Sequence, residues 1–140
     1  MKKLFLIISL IACFAFTVKA QKVVTFTNDT ITNAGTATLT TGKILGNYTL
    51  SVHVLSTELS GTAAGSGVLQ SSIDGTNFAT ILTFASTADS MTVDDGTTFV
   101  WNTVVTPDLY YRVLFTGSGT ESTKVTGSYL IKPIMTKTIK

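Results

Sequence analysis

The sequence predicts an all-β protein: a single antiparallel β-sandwich of about eight strands, jelly-roll or immunoglobulin-like, behind an N-terminal signal peptide. Three observations predict it. Apolar and polar residues alternate with a period of two in several stretches, turn residues fall between those stretches, and helix-favouring residues never recur with a 3.6-residue period after residue 20. Threonine, serine, glycine and valine dominate instead, and β-branched side chains suit a pleated, half-buried surface.

The first element is the leader. Lys2 and Lys3 precede an uncharged apolar run from Leu4 to Val18, followed by Lys19-Ala20-Gln21, the positive, apolar, small-residue order of a secretory signal. The run is about 15 residues, short of the roughly 20 that a membrane-crossing helix needs. Cleavage after Ala20 is therefore expected, with residues 1–20 as signal peptide and 21–140 as the sandwich domain. A competing site, Leu10-Ile11-Ala12-Cys13, resembles a bacterial lipoprotein box. Lipidation at Cys13, or retention of the leader, would tether the domain to a membrane. Otherwise the product is exported to the periplasm, cell surface or exterior.

Removing the leader changes the chemistry. Lys2, Lys3 and Lys19 leave with it, so seven basic residues face eight acidic ones and the net charge is −1. No basic stripe remains to meet phosphates, which argues against nucleic acid as a partner. The chain's single cysteine leaves too, and with it any disulfide or thiol nucleophile. Stability must then come from apolar burial and sheet hydrogen bonds. About 120 residues supply one such core.

The strands follow in chain order. Lys22–Thr27, Thr36–Thr41 and Val68–Ile73 are weaker candidates. Tyr48, Leu50, Val52 and Val54 alternate with Thr49, Ser51 and His53, as on a strand with one buried face. Phe78 to Phe84 is more apolar and reads as a strand covered on both sides. Phe99, Trp101 and Thr103 share a face, and so do Tyr111, Val113 and Phe115, opposite Tyr110, Arg112 and Leu114. Val125, Tyr129 and Ile131 share a face with Gly127, where the missing side chain marks a bulge or a close neighbour.

Turn chemistry separates these runs. Asp74-Gly75-Thr76-Asn77 is a hairpin signal, because glycine accepts positive φ cheaply and aspartate bonds its own backbone. Asp94-Asp95-Gly96, Thr106-Pro107-Asp108 and Gly117-Ser118-Gly119 act likewise before later strands. Ser60 to Gly67 reads as a flexible surface loop, and the tail after Pro133 as a short basic strand or a loose end.

Few constellations carry chemistry. His53 is the single histidine and lacks a second group for a metal site or catalytic dyad. Asp89, Asp94 and Asp95 are the densest acidic group, but the one-three-five spacing of a calcium loop is absent and turn chemistry explains them better. No metal or cofactor is expected. No phosphate loop, nucleophile elbow or metalloprotease motif is present, and Glu58 and Glu121 have no visible partner, so catalysis is not expected. The candidate ligand contacts are aromatic: Trp101, Tyr110 and Tyr111 have flat faces able to stack on a sugar. Trp101 shares a face with Phe99, which favours the core, and one of the two tyrosines must point outward.

The segment Val68-Leu69-Gln70-Ser71-Ser72-Ile73-Asp74-Gly75-Thr76-Asn77-Phe78-Ala79-Thr80-Ile81 resembles the strand, Ser-x-Asp-Gly turn and aromatic strand of galactose-binding-like domains and of tailed-phage structural proteins. The run Tyr110 to Thr120, with Gly127-Ser128-Tyr129-Leu130-Ile131-Lys132-Pro133, resembles phage or prophage virion-associated modules. The leader resembles the Lys-Lys signals of Bacteroidota-type bacteria instead. These resemblances imply a structural or adhesive sandwich that meets a protein partner or its own copies, on a virion if phage-encoded, or alternatively a secreted carbohydrate-binding module. They imply no enzyme.

Overall fold

The computed structural model describes residues 21–81, 90–104 and 108–134. The expectations on the leader, Cys13, Asp89, Thr106-Pro107 and the segment from Leu82 to Phe84 lie outside them. Ten strands form two antiparallel sheets, with no helix among the described residues. They are β1 (Lys22–Thr25), β2 (Asp29–Thr32), β3 (Thr36–Thr40), β4 (Tyr48–Gly61), β5 (Gly65–Ser72), β6 (Ala79–Thr80), β7 (Ser90–Thr92), β8 (Thr98–Val104), β9 (Tyr110–Gly117) and β10 (Glu121–Pro133).

In the first sheet the order is β1-β10-β4-β8, with β2 also on β10; in the second it is β3-β9-β5-β6, with β7 also on β5. β1 and β2 lie along one side of β10, and β6 and β7 lie along one side of β5. The ten elements therefore fill eight strand positions. Successive positions alternate between the sheets except where β5 leads into β6 and β7 within the second sheet, the connectivity of a jelly roll rather than of an immunoglobulin domain.

The alternation in the sequence sets which faces meet. Leu50, Val52 and Val54 of β4, Leu69 of β5, Trp101 of β8, Tyr111, Val113 and Phe115 of β9, and Val125 and Tyr129 of β10 are buried together between the sheets. Each such side chain contributes about 1.5–3 kcal/mol when fully withdrawn from water. No disulfide is needed for a core of this kind.

Three local features depart from regular strands. Thr25 opposes Ser128 and Asp29 opposes Val125, so residues 26–28 face only two residues of β10. This extra residue shifts the inward phase, and both Phe26 and Ile31 are buried, with the Phe26 ring 5.0 Å from that of Tyr129. A second irregularity interrupts the β4–β10 register between Ser122 and Thr123, where Leu59 is the unmatched residue. Gly127 is the close approach that its sequence position suggested: a Cβ there would lie 2.4 Å from the carbonyl oxygen of His53.

Two expectations are corrected. Ser60 to Gly67 is not a long loop, since β4 runs to Gly61 and β5 starts at Gly65. Its glycines serve packing: a Cβ on Gly67 would meet Met91 and Phe115 at 2.9 Å. The described part of the Phe78 run is not covered on both sides. Ala79 and Thr80 pair with β5 and are exposed at the sheet edge, and Ile81 N–H bonds the Leu69 carbonyl at 3.0 Å.

Candidate functional site

The β5–β6 turn shows why its sequence folds as it does. Ser72 Oγ accepts from the main-chain N–H of Asp74 and Gly75 and donates to Asp74 Oδ1 at 2.8 Å. Asp74 Oδ1 accepts from the N–H groups of Thr76 and Asn77, each at 2.8 Å, while Oδ2 accepts from Asn77 Nδ2 at 2.8 Å. These donors, those of Asn77 and Thr76 foremost, hold the Asp74 carboxyl far below the ordinary carboxylate range. Gly75 takes φ +77°, the left-handed region open to glycine. The anticipated roles of Asp74, Gly75 and Asn77 as turn residues agree with these bonds, although the connection is longer than a two-residue hairpin.

The turn folds onto Tyr110. A Cβ on Gly75 would lie 3.3 Å from three atoms of its ring, so the tyrosine is half-buried beside the turn. Next to it on the outer face of β9, Arg112 Nε donates to Gln70 Oε1 at 2.7 Å and the guanidinium lies 4.1 Å from the centre of the Phe78 ring. The cation–π contact adds about 0.5–1 kcal/mol at such a site. Gln70 Nε2 reaches Thr80 Oγ1 at 3.5 Å, a long contact at the end of the row. One corner of the second sheet thus gathers a half-exposed tyrosine, a positioned guanidinium, a phenylalanine ring and the Asp-Gly turn. Among the described residues no acceptor takes the terminal nitrogens of Arg112.

The other aromatic candidates lie elsewhere. Trp101 is 4% exposed in the first sheet, its ring 4.5 Å from that of Phe99, and Tyr111 is fully buried. Neither offers a ring face to a ligand docking from outside; Tyr110 is the outward member of the pair. Gln70, Phe78 and Arg112 were not singled out from the sequence. Arg112 shares the alternation of Tyr110, but its partner Gln70 becomes visible only through the β5–β9 register.

The acids do structural work. Asp94 Oδ1 accepts from Asp95 N–H, and Asp95 Oδ1 accepts from Glu58 N–H at 2.9 Å. Glu58 Oε2 accepts from Ala63 N–H at 2.9 Å, and Asp29 Oδ2 accepts from Thr38 N–H at 2.7 Å. The buried Ser56 hydroxyl donates to the Asp94 carbonyl and pins the Asp94–Gly96 turn to β4. Among the described residues no three His, Cys, Asp or Glu side chains gather as a metal site would require. His53 is exposed on the outer face of the first sheet, opposite Val100 on one side and Ser128 on the other.

No family model and no curated protein matches the chain. Among solved structures it is similar to the Yersinia pseudotuberculosis-derived mitogen, at 14% identity over 84% of this chain and 91% of that one, with a TM-score of 0.47. It is also similar to the Bacillus endospore appendages described as disulfide-linked pili, at 12% identity, 83% and 88% coverage and a TM-score of 0.48. A third similarity is to the CBM22-1–GH10 modules of a Clostridium thermocellum xylanase complexed with xylohexaose. There the identity is 14%, the coverage 77% of this chain and 22% of that one, and the TM-score 0.47. At such identities none of them lends this chain an activity.

Proposed function

We propose that the chain is an exported, non-catalytic β-sandwich that works by contact, as a structural or adhesive protein of an envelope or virion surface. The observation that carries this reading is the outer face of the first sheet. Val23 is 67% exposed and opposes Leu130 across the β1–β10 pair, while Leu55 and Val100 are 37% and 38% exposed on β4 and β8. Apolar residues on neighbouring strands of one face favour a protein surface as partner. The bonding of Asp29, Glu58, Asp74, Asp94 and Asp95 to main-chain N–H groups supports a structural use of the acids.

The test is retention of the purified protein on envelopes isolated from the source cells. Wild type should be retained and the Val23→Lys/Leu55→Lys variant released. Equal retention of both, or of neither, would overturn the reading.

The Tyr110–Arg112 corner supports a second reading, carbohydrate binding, because it combines aromatic faces with a directed hydrogen-bond donor. A glycan array should then show binding that Tyr110→Ala and Arg112→Ala both abolish. Binding that survives both substitutions would remove this reading.

A further inference from the structure

The four sheet edges are not alike. The β1–β2 edge is broken by the extra residue at 26–28 and carries Lys22. On β3, the Thr38 N–H is taken by the Asp29 carboxylate at 2.7 Å. That N–H points away from β9, since Thr41 N–H bonds the Tyr111 carbonyl and alternate residues face opposite ways. β6 and β7 have two and three residues. These are the usual ways in which an exposed edge is made unfit for pairing.

β8 has none of them. It is seven residues long, carries no charge and no proline, and pairs with β4 without a register shift. Ser56 N–H bonds the Thr97 carbonyl, so Phe99 and Trp101 direct their main-chain groups to β4, whereas Thr98, Val100 and Asn102 direct theirs to the open side. Among the described residues nothing pairs with these groups.

We propose that β8 pairs antiparallel with β8 of a second copy of this chain, about a two-fold axis at Val100. The occupant follows from the strand's own chemistry. An uncharged strand meets no like charge in its copy, and the two-fold sets Val100 against Val100 and Thr98 against Asn102, which are compatible cross-strand pairs. Thr98, Val100 and Asn102 then each exchange two bonds with their opposite residue, about six in all. Val100 and the neighbouring Leu55, both partly exposed on the same face, are covered as the first sheets of the two copies join. This extends the contact reading above by naming a partner for the β8 edge of that sheet, where Leu55 and Val100 belong to both surfaces.

Cysteine cross-linking tests both pairing and register. A hydrogen-bonded antiparallel pair has Cα atoms about 5.5 Å apart, within the range of a disulfide. With Cys13 replaced by serine, Val100→Cys should give a cross-linked dimer on mild oxidation. Thr98→Cys alone should not, whereas a mixture of Thr98→Cys and Asn102→Cys should. Val100→Lys should weaken the dimer about a hundredfold, as facing like charges do, and mixing it with Val100→Glu should restore it. Circular dichroism confirms folding of each variant. A wild type that stays monomeric at the highest soluble concentration, or equal cross-linking at positions 98 and 100, overturns the pairing. Envelope retention has a separate readout, so either proposal can fail while the other survives.

Discussion

Replacing Gly127 by alanine provides a sharp test of the packing between β10 and β4. The added Cβ would lie 2.4 Å from the His53 carbonyl oxygen and 3.1 Å from Val54 Cγ1. Ordinary contact begins at 3.4 Å, so the first approach is too short by about 1 Å. The oxygen cannot move alone, because β4 is held between β10 and β8. Overpacking of this kind costs about 1–3 kcal/mol, and rigid backbone on one side places this case near the upper end. Alanine returns roughly 0.5–1 kcal/mol by restricting the unfolded chain, which leaves a net loss of about 2 kcal/mol. With an unfolding entropy near 2.1 cal/mol/K per residue over about 120 residues, Tm should fall by roughly 8 °C. Calorimetry of Gly127→Ala beside Gly42→Ala measures it, since a Cβ at residue 42 meets nothing within 4 Å and should leave Tm unchanged or slightly raised. A Gly127→Ala protein melting within 2 °C or so of the parent would refute the reasoning.

Other substitutions test other parts of the sandwich. Thr41 Oγ1 accepts from the buried Tyr111 N–H at 3.0 Å, so Thr41→Val should cost about 1–3 kcal/mol in urea unfolding while Thr41→Ser costs much less. Phe115→Ala removes a fully buried ring and should cost about 3–5 kcal/mol by the same measurement. Asp74 has a carboxyl pKa lowered from 3.8 in the folded state, so its contribution is present above the unfolded value and is lost as pH falls below about 5 towards strong acid. Asp74→Asn should therefore melt lower than wild type at pH 7, and the gap should narrow as pH falls from about 5 to 2.

Much of the sandwich was legible because buried faces impose a period of two. Tyr111, Val113 and Phe115 fixed the phase of β9, and with it the outward position of Tyr110. β2 left little trace: it is four residues long with Ile31 as its one buried side chain, and its phase is set by the extra residue after β1. The glycine-rich run before Val68 read as loop because glycine is commonest where chains turn. Here Gly67 is instead the space into which Phe115 and Met91 pack, a requirement of the tertiary structure. The Arg112–Gln70–Phe78 cluster was illegible for a related reason. Its members come from three separate segments, and the pairing register that unites them is not written in any one of them.

The central place of β10 has a consequence for how the chain is made. This strand pairs with β1, β2 and β4, so these earlier strands wait for β10 to emerge. Loop-closure entropy must be met before any of those pairings is rewarded, which delays assembly. A nascent polypeptide of this design stays open until β10 has been made, and losing residues 121–133 would strand both β1 and β2 without a neighbour in their sheet.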